Sequence, residues 1–326
     1  MKYNTVILLG PTAVGKTSLG VSLALQFGWD IISADSRQVY KGLDLGSGKD
    51  LNEYSGIIKA SDGSESSYSI PYHLIDVTTL NNEFNVYNFQ TEFYKIFKEL
   101  SNEGKMPFIV GGTGMYIDSI CRAYNFVEVP ENIQLRKELD EKSLEELDKI
   151  LMELKPELHN KSDLLCRDRT IRAIEIALYM KDEERVKRDK ASLKLPEINP
   201  FVIGTTIPRD ELRANIKIRL LERINEGMIE EVEGLHNQGF SWERLEKLGL
   251  EYRFVSEFLE GKIASKELMV DELYHAICQF AKRQETWFRG MERKGVKINW
   301  LPNQNNKEAK LKAAIKLIEE NVINQK

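Results

Sequence analysis

Apolar runs alternate with helical patterns over residues 5–125. The apolar runs are TVILL, DIISAD, YHLIDV and PFIVGG, and stretches with helical spacing stand between them, such as TSLGVSLALQF and FNVYNFQTEFYKIFKEL. Such alternation is typical of βαβ units, in which helices cover a parallel sheet. The pattern therefore predicts an α/β fold with a parallel sheet.

The pattern changes after residue 125. Residues 126–195 are mostly helical in spacing and highly charged, without a strand-like run, which predicts a helical insertion. The sheet is predicted to resume at NPFVIGTTI, after which the chain indicates helices, one short strand (VKINWL) and a terminal helix. We therefore predict an α/β core over 1–125, the insertion over 126–195, and completion of the core with a helical carboxyl half over 196–326.

The helices of the carboxyl half are predicted over 209–239, 242–259 and 265–289. A polar, serine-rich segment, residues 60–68 (ASDGSESSY), is predicted to be a flexible surface loop.

The composition is that of a soluble globular protein. Of 326 residues, 42% are hydrophobic and 30% are charged. No stretch of about 18 uninterrupted apolar residues indicates a membrane span. Cys121, Cys166 and Cys278 are far apart, so neither a disulfide framework nor a zinc site is indicated. We expect a cytoplasmic protein that acts as a monomer.

The net charge of −5 argues at first against a nucleic-acid partner, because phosphate contacts require positive charge. The charge is unevenly distributed, however. Residues 138–157 are strongly acidic, whereas 281–297 carry six lysines and arginines against two glutamates. A local basic face is therefore available.

A phosphate-binding motif stands between the first strand and the first helix. The segment GPTAVGKT fits the P-loop pattern G-x-x-x-x-G-K-[ST] at every constrained position. Glycines let backbone N–H groups turn towards phosphate oxygens, the lysine reaches further oxygens, and the hydroxyl can bind magnesium. The predicted fold is thus P-loop NTPase-like, and the predicted phosphate ligands are Gly10, Pro11, Thr12, Ala13, Val14, Gly15, Lys16 and Thr17.

Three further features lie at predicted strand ends, where open α/β sheets bind ligands. Asp35 is either a general base or simply a turn former, and its position favours neither. Asp76 is either an acid that orders magnesium or a structural residue. The glycine-rich turn Gly111–Gly114 precedes a helix. Three such loops at one edge indicate a site.

Taken together, the motifs resemble those of the tRNA dimethylallyltransferases over nearly the whole chain. The resemblance rests on GPTAVGKT, IISADSRQVYKGLDLGSGK, YHLIDV, PFIVGGTGMYI, RTIRAIEI and AKRQETWFRG. It implies transfer of a dimethylallyl group from dimethylallyl diphosphate to N6 of the adenosine just 3′ of the anticodon, in a base flipped out of its loop. It also implies Mg²⁺ as cofactor and the tRNA anticodon stem-loop as partner.

The resemblance assigns roles to individual residues. Asp35 would be the base, Arg219 would face the diphosphate, and Thr17 would bind magnesium together with waters. The residues matched to tRNA contacts are Asp35, Ser36, Arg37, Gln38, Thr113, Arg136, Asp168, Arg169, Thr170, Ile171, Arg172, Lys282, Arg283 and Gln284. For Arg219 the alternative is a solvated helix face shared with Arg223.

Three positions depart from the family pattern. Asn215 stands where a second arginine is usual, Asp168 stands where glutamine is common, and the segment 247–253 (KLGLEYR) contains an apparent insertion. Two other enzyme classes remain as alternatives. An adenylate isopentenyltransferase would act on a free nucleotide, and a small-molecule kinase would hold ATP in the P-loop.

Overall fold

The computed structural model describes residues 2–59, 64–156, 166–192 and 195–324. The chain forms two compact units. The larger unit comprises Met1–Ala123 and Glu197–Lys326, and the smaller unit comprises Tyr124–Pro196. The predicted insertion falls within the smaller unit, although residues 157–165, 193 and 194 of it lie outside the described ranges.

A parallel sheet forms the centre of the larger unit. The strands of the chain are β1 (Thr5–Leu9), β2 (Ile31–Ala34), β3 (Ser55–Lys59), β4 (Glu65–Ser69), β5 (Tyr72–His73), β6 (Phe108–Gly111), β7 (Pro200–Gly204) and β8 (Ile298–Trp300). Six of them pair in the order β5-β2-β6-β1-β7-β8, all in parallel. The predicted α/β fold with a parallel sheet is therefore confirmed.

Both units contain helices. They are α1 (Lys16–Phe27), α2 (Val86–Asn102), α3 (Gly114–Cys121), α4 (Ile133–Asp140), α5 (Leu144–Leu154), α6 (Arg167–Met180), α7 (Glu183–Ser192), α8 (Arg209–Asn225), α9 (Met228–Asn237), α10 (Trp242–Glu246), α11 (Leu250–Leu259), α12 (Lys266–Arg293) and α13 (Lys307–Ile318). Among the described residues, no helix is both long and apolar enough to span a membrane.

Strand β1 shows why the sheet is buried on both faces. All five residues of TVILL are buried, as expected of a central parallel strand covered by helices on each side. One face packs against α1 and α13 in an apolar cluster that includes Leu8, Leu23 and Ile318. The P-loop therefore begins at the carboxyl end of a buried, central strand.

The helical carboxyl half has its own apolar core, and the P-loop belongs to it. Ala13 and Val14 pack with buried residues of α8, α9, α11 and α12, including Leu220 and Leu273. The site is thus supported by the sheet on one side and by these helices on the other.

Two predicted helices are each divided by a glycine. The predicted helix 209–239 ends at α8 and restarts at α9 because Gly227 has φ 106°. The predicted helix 242–259 is interrupted at Gly249, which has φ 135°. Backbone with such positive φ does not continue an α-helix.

The prediction of a flexible loop over 60–68 is wrong for its second half. Residues 60–63 lie outside the described ranges, but Glu65–Ser69 forms β4, which pairs antiparallel with β3. Serines occupy exposed positions of this two-stranded ribbon. The exposed serines predicted a loop because the strand buries almost no apolar surface.

Candidate active site

The P-loop forms a cradle at the amino terminus of α1. Gly15 has φ 81°, and Ala13 adopts the left-handed region with φ 61°. Gly10 approaches the backbone closely, since a Cβ there would lie 2.4 Å from the carbonyl oxygen of Thr205. These turns direct N–H groups and the positive helix end to one point, as anion binding requires.

Helix α8 supports the strained residue of the cradle. The Asn215 side-chain amide donates to the carbonyl oxygen of Ala13 at 3.3 Å. This is the position where the family pattern usually has a second arginine. The asparagine therefore holds the loop rather than adding positive charge.

The ammonium group of Lys16 rests on a neutral partner. Its Nζ donates to the carbonyl oxygen of Pro11 at 2.5 Å. Burial and the nearby Arg219 lower the pKa of Lys16 to about 7, although the carboxylate of Asp35 acts in the opposite direction. A bound polyanion would stabilise the charged form, so the cradle favours phosphate.

A cavity of about 690 Å³ opens beside the cradle. It is lined by the P-loop residues from Ala13 to Thr17, by α8 including Arg219 and Arg223, and by the start of α13. The volume suits a small ligand.

Arg219 and Arg223, one helical turn apart on α8, share one carboxylate. Arg219 Nη2 and Arg223 Nη2 each lie 3.0 Å from an oxygen of Asp50. Burial and the neighbouring Arg223 lower the pKa of Arg219. Arg219 and Arg223 both line the cavity beside the cradle, and the role of Arg219 towards a diphosphate stays a prediction. The sequence indicated Arg223 only as part of a solvated helix face.

The absence of a side chain at Gly48 leaves room for the Arg223 guanidinium beside Asp50. A Cβ at Gly48, which has φ 67°, would lie 2.6 Å from the Arg223 guanidinium, and Arg223 also donates to the carbonyl oxygen of Leu45. Sequence reasoning missed Arg223. The signal that could have found it is its spacing of four residues from Arg219, which places both side chains on one helix face.

Asp35 is a turn former, and its role as a general base stays a prediction. Its Oδ1 accepts the backbone N–H groups of Arg37 at 2.9 Å and Gln38 at 3.4 Å, as a turn former does. Among the described residues, none donates a hydrogen bond to its Oδ2. One carboxylate oxygen thus fixes the turn while the other stays available to accept a proton.

The glycine-rich turn after β6 lies directly against the Asp35 turn. Thr113 donates its N–H to the carbonyl oxygen of Ala34 at 3.1 Å, and its Oγ1 accepts the Ser36 N–H at 3.1 Å. A Cβ at Gly111 would lie 2.3 Å from the same Ala34 oxygen, so glycine is required. The two loops predicted to share one edge of the sheet are in contact.

Asp76 forms an ion pair. Its Oδ1 lies 2.5 Å from Nζ of Lys49, a side chain only 2% exposed, which also contacts Asp44 at 2.5 Å. Such carboxylate partners stabilise a buried ammonium. Of the two alternatives for Asp76, these contacts favour the structural one.

A carboxylate of α9 fills a ring of backbone N–H groups in the loop before Lys49. Glu231 accepts from Asp44 at 3.2 Å, Leu45 at 2.7 Å and Gly46 at 3.2 Å. The buried hydroxyl of Tyr252 donates to it at 2.7 Å. The loop that carries Asp50 is thereby fixed to two helices of the carboxyl half.

Two family models match the sequence. One, described as IPP transferase, covers residues 38–291, and the other, described as Isopentenyl transferase, covers residues 3–57. The chain is 53% identical over 300 residues to tRNA dimethylallyltransferase 2 of Treponema denticola, covering 92% of this chain and 96% of that protein. The chain belongs to the IPP transferase family.

Other members give the same result. Identity to tRNA dimethylallyltransferase 1 of Syntrophus aciditrophicus is 48%, over 92% of this chain and 94% of that protein. The solved tRNA isopentenylpyrophosphate transferase of Bacillus halodurans is 28% identical with a TM-score of 0.66, over 97% and 96% of the two chains. A eukaryotic dimethylallyltransferase acting on tRNA shares the fold at 19% identity, with a TM-score of 0.72 over 99% and 80%.

Both glutamines that the family resemblance matched to tRNA contacts bind protein groups. Gln38 accepts from the Ser33 hydroxyl and donates to the carbonyl oxygen of Gly48, each at 2.9 Å. Gln284 accepts the Thr12 N–H and donates to the carbonyl oxygen of Gly112, each at 2.9 Å. Their contact with tRNA stays a prediction, but each amide already fixes a loop of this IPP transferase.

The basic residues predicted to contact tRNA on α12 lie at the protein surface. Lys282 and Arg283 are exposed, while Phe288 is fully buried. Trp287 is 38% exposed and packs against Gly114, where a Cβ would lie 2.4 Å from its ring. The tryptophan therefore has a packing role at the glycine-rich turn.

Arg136 and Arg172 of the smaller unit converge on one buried carboxylate. Arg136 Nη2 lies 3.0 Å from Glu175 Oε2, Arg172 donates to the same oxygen, and the Asn132 N–H donates to Glu175 Oε1 at 2.5 Å. Burial acts to raise the pKa of Glu175, but these hydrogen bonds outweigh it and lower the pKa. Both predicted tRNA contacts are thus already paired.

In the rest of the segment matched to tRNA, two exposed residues are followed by two buried ones. Asp168 and Arg169 are exposed, whereas Thr170 is buried and Ile171 belongs to the apolar core of the smaller unit. Contact of this α6 segment with tRNA stays a prediction, and the exposure pattern restricts it to the side chains of Asp168, Arg169 and Arg172.

The segment 247–253, which departs from the family pattern, lies at the site. Gly249 faces Arg37, since a Cβ there would lie 3.5 Å from Arg37 Nε. Burial raises the pKa of Glu251, and Asp35 adds to the rise, while Arg223 and Arg219 oppose it. Sequence reasoning missed Glu251 and Tyr252 because the apparent insertion obscured their alignment.

Proposed function

We propose that this chain transfers the dimethylallyl group of dimethylallyl diphosphate to N6 of the adenosine just 3′ of the anticodon in tRNA, releasing diphosphate. Relatives named tRNA dimethylallyltransferase match it over nearly their whole length. The anticodon stem-loop is the acceptor in this proposal, and an adenosine in such a loop must leave its stack to react.

One observation carries the proposal. Asp35, a carboxylate with an unoccupied oxygen, precedes Ser36, whose N–H donates to Thr113. A Cβ on Gly112, next to Thr113, would lie 3.5 Å from Nζ of the cradle lysine, Lys16. A phosphate-binding cradle and a proton acceptor are therefore adjacent. Transfer from a diphosphate to an amine requires both groups at one place.

The chemistry follows from these two groups. N6 of the adenosine attacks the allylic carbon that bears the diphosphate, so the N–C bond forms as the C–O bond breaks. The Oδ2 atom of Asp35 takes the proton that N6 loses. Negative charge grows on the diphosphate oxygens, where Lys16, Arg219 and the cradle N–H groups stabilise it.

Magnesium fits the same donor set. Thr17 lines the cavity beside the cradle, and its hydroxyl would bind the metal. Within the described part of the chain, no group of three or more His, Cys, Asp or Glu side chains could hold a metal ion. Mg²⁺ commonly binds through few protein ligands together with phosphate oxygens and waters. When bound, it would supply further stabilisation of the leaving diphosphate.

The two alternative activities have less support. The IPP transferase match runs through α12, which an enzyme acting on a free nucleotide does not need. A kinase would use the same cradle for ATP. Neither alternative accounts for the exposed basic residues Lys282 and Arg283.

A labelling experiment tests the proposal. The protein is incubated with bulk tRNA, dimethylallyl diphosphate labelled in the allyl group, and magnesium, and the tRNA is then digested to nucleosides. We expect the label in a prenylated adenosine, with one diphosphate released per group transferred.

Two parallel reactions identify the alternatives. In the first, AMP replaces tRNA; label in AMP but not in tRNA would assign the free-nucleotide activity. In the second, ATP labelled in its γ-phosphate replaces the donor; transfer of labelled phosphate, with no prenyl transfer, would assign a kinase.

A further inference from the structure

Gln284 is a buried side chain whose two ends bind two different loops of the site. It lies on α12 and is 8% exposed. Its Oε1 accepts the Thr12 N–H of the cradle and its Nε2 donates to the carbonyl oxygen of Gly112, each at 2.9 Å. One amide therefore joins the loop after β1 to the loop after β6.

The peptide group between Pro11 and Thr12 is held from both sides. Its carbonyl oxygen accepts from Lys16 at 2.5 Å, and its N–H donates to Gln284. Because the peptide is planar, the hydrogen bond from one end fixes the direction of the other. Gln284 thereby sets the position of the group on which the phosphate-binding lysine rests.

The fit at the other end is close. A Cβ on Gly112 would lie 2.7 Å from Gln284 Nε2 and 3.2 Å from the carbonyl oxygen of Gly10. One turn further along α12, Trp287 packs against Gly114. Helix α12 is thus fixed to the glycine-rich turn at two points, and the turn cannot shift without moving the helix.

The glycine-rich turn in turn holds the proton acceptor. Thr113, next to Gly112, accepts the Ser36 N–H at 3.1 Å, and Ser36 follows Asp35 directly. A continuous path of hydrogen bonds therefore runs from the cradle through Gln284 and Thr113 to the Asp35 turn. Its three side-chain hydrogen bonds are 2.9 to 3.1 Å long and are buried or part-buried, which favours a rigid arrangement.

We propose that Gln284 is a positioning residue that sets the separation between the donor cradle and Asp35. This deepens the proposed function and rests on it. Gln284 touches neither reacting group; it acts through Thr12 and Gly112. Its family-matched role, a contact with tRNA, makes a different prediction, because loss of an RNA contact weakens tRNA binding without slowing bound substrates.

Gln284→Met removes both hydrogen bonds at similar volume. We expect kcat for tRNA prenylation to fall by about 10- to 100-fold, since a small displacement of reacting groups has effects of that size. The affinity for inorganic diphosphate, measured by calorimetry with magnesium present, should fall by about threefold to tenfold as the Thr12 peptide is released. The KM for tRNA should stay within about threefold of the parent.

Gln90→Met is the matched control. Gln90 is 3% exposed, lies on α2 and donates to the carbonyl oxygen of Ser119 at 3.3 Å, away from the cradle. Both variants should lower the thermal midpoint, but only Gln284→Met should change kcat and diphosphate affinity. Equal kinetic losses in the two variants would overturn the proposal.

Gly112→Ala tests the other end of the amide. Its Cβ would displace the Gln284 side chain, so it should reproduce the kcat loss, and the double variant Gln284→Met/Gly112→Ala should be no slower than about the slower single variant. Additive losses, or a raised KM for tRNA with kcat unchanged, would overturn the proposal. A parent without prenylation activity would overturn the proposed function instead, while the diphosphate measurement still decides whether Gln284 holds the cradle.

Discussion

The cradle of the larger unit and the arginines of the smaller unit hold positive charge in opposite ways. Lys16 rests on a backbone carbonyl and has a lowered pKa, so its charge is poorly stabilised without a ligand. Arg136 and Arg172 both pair with the buried carboxylate of Glu175, and Arg136 also pairs with Glu131. The first arrangement gains most from a bound anion, whereas the second is already neutralised.

This difference separates two tasks that motif matching treats alike. A cation whose only partner is a neutral group is stabilised in its charged form when an anionic ligand binds. A cation in a buried ion pair mainly maintains the local fold, because breaking the pair leaves a buried charge. We therefore expect cradle variants to change chemistry and donor binding, and variants of the smaller unit to change its stability.

The largest effect is expected at Asp35. Asp35→Asn keeps an oxygen for the turn but removes the proton acceptor, so kcat should fall by about 10²- to 10⁴-fold while tRNA affinity changes little. Single-turnover prenylation measures the rate, and filter binding measures the affinity. A rate within about tenfold of the parent would show that the base is elsewhere.

Asp76→Asn is the matched control for that variant, since it also changes an aspartate near a strand end. Its carboxylate pairs with Lys49, which keeps Asp44 as a partner. We expect kcat within about threefold of the parent and a lower thermal midpoint. A loss of kcat as large as that of Asp35→Asn would indicate that Asp76 orders magnesium instead.

The next largest effect is expected at Lys16. Lys16→Ala removes the cation of the cradle, so kcat/KM for dimethylallyl diphosphate should fall by about 10²- to 10³-fold. Binding of tRNA should be unchanged, because the predicted RNA contacts lie on other elements. Equal losses of donor and tRNA binding would indicate misfolding rather than loss of a phosphate contact.

Glu175→Gln tests the second half of the comparison. It leaves Arg172 without its carboxylate, whereas Arg136 keeps Glu131. Because both arginines are partly exposed, we expect the smaller unit to lose about 1–3 kcal/mol of stability. Hydrogen exchange should increase in the helices of the smaller unit and remain unchanged in β1 and α1. Affinity for inorganic diphosphate should also be unchanged; a fall in it would show that the two regions are not independent.

The smallest effect is expected at Lys310, a second buried ammonium on a neutral partner. It is 4% exposed and donates to the Thr205 hydroxyl at 2.9 Å, and burial lowers its pKa to about 8. Below that pH the folded protein buries a charge that water would solvate. As pH rises from about 8 towards 10.5, the unfolded chain binds more protons, so stability increases.

Lys310→Met should therefore be more stable than the parent at pH 7, by about 1–2 kcal/mol. The advantage should shrink as pH rises above about 8, where the parent loses its buried charge. Urea unfolding at a series of pH values measures this. An advantage that grows with pH would contradict the assignment of the shift to burial.

The sequence predicted those parts of the site that are formed by residues close together in the chain. The cradle is a local motif, so its strand, turn and helix could be recognised from consecutive residues. Asp35 was placed correctly at the end of β2 next to the glycine-rich turn, because parallel strands bring their carboxyl ends to one edge.

The contacts that sequence could not predict join distant residues. Gln284 meets Thr12 across 272 residues, and Arg223 meets Asp50 across 173. Their residue types indicate polarity but not a partner, since only the packing of α8 and α12 decides which loop each side chain reaches. The strand β4 was missed for a different reason, because its exposed serines show no hydrophobic alternation.

The carboxylate of Glu231 has a consequence for ligand selection. Three successive N–H groups of residues 44–46 form a concave nest of the kind that binds phosphate elsewhere. The carboxylate of Glu231 fills this nest and takes the place that a bound phosphate would have. With Glu231 in place these N–H groups are not available to a bound phosphate, so the proposed diphosphate would depend on the N–H groups of the cradle.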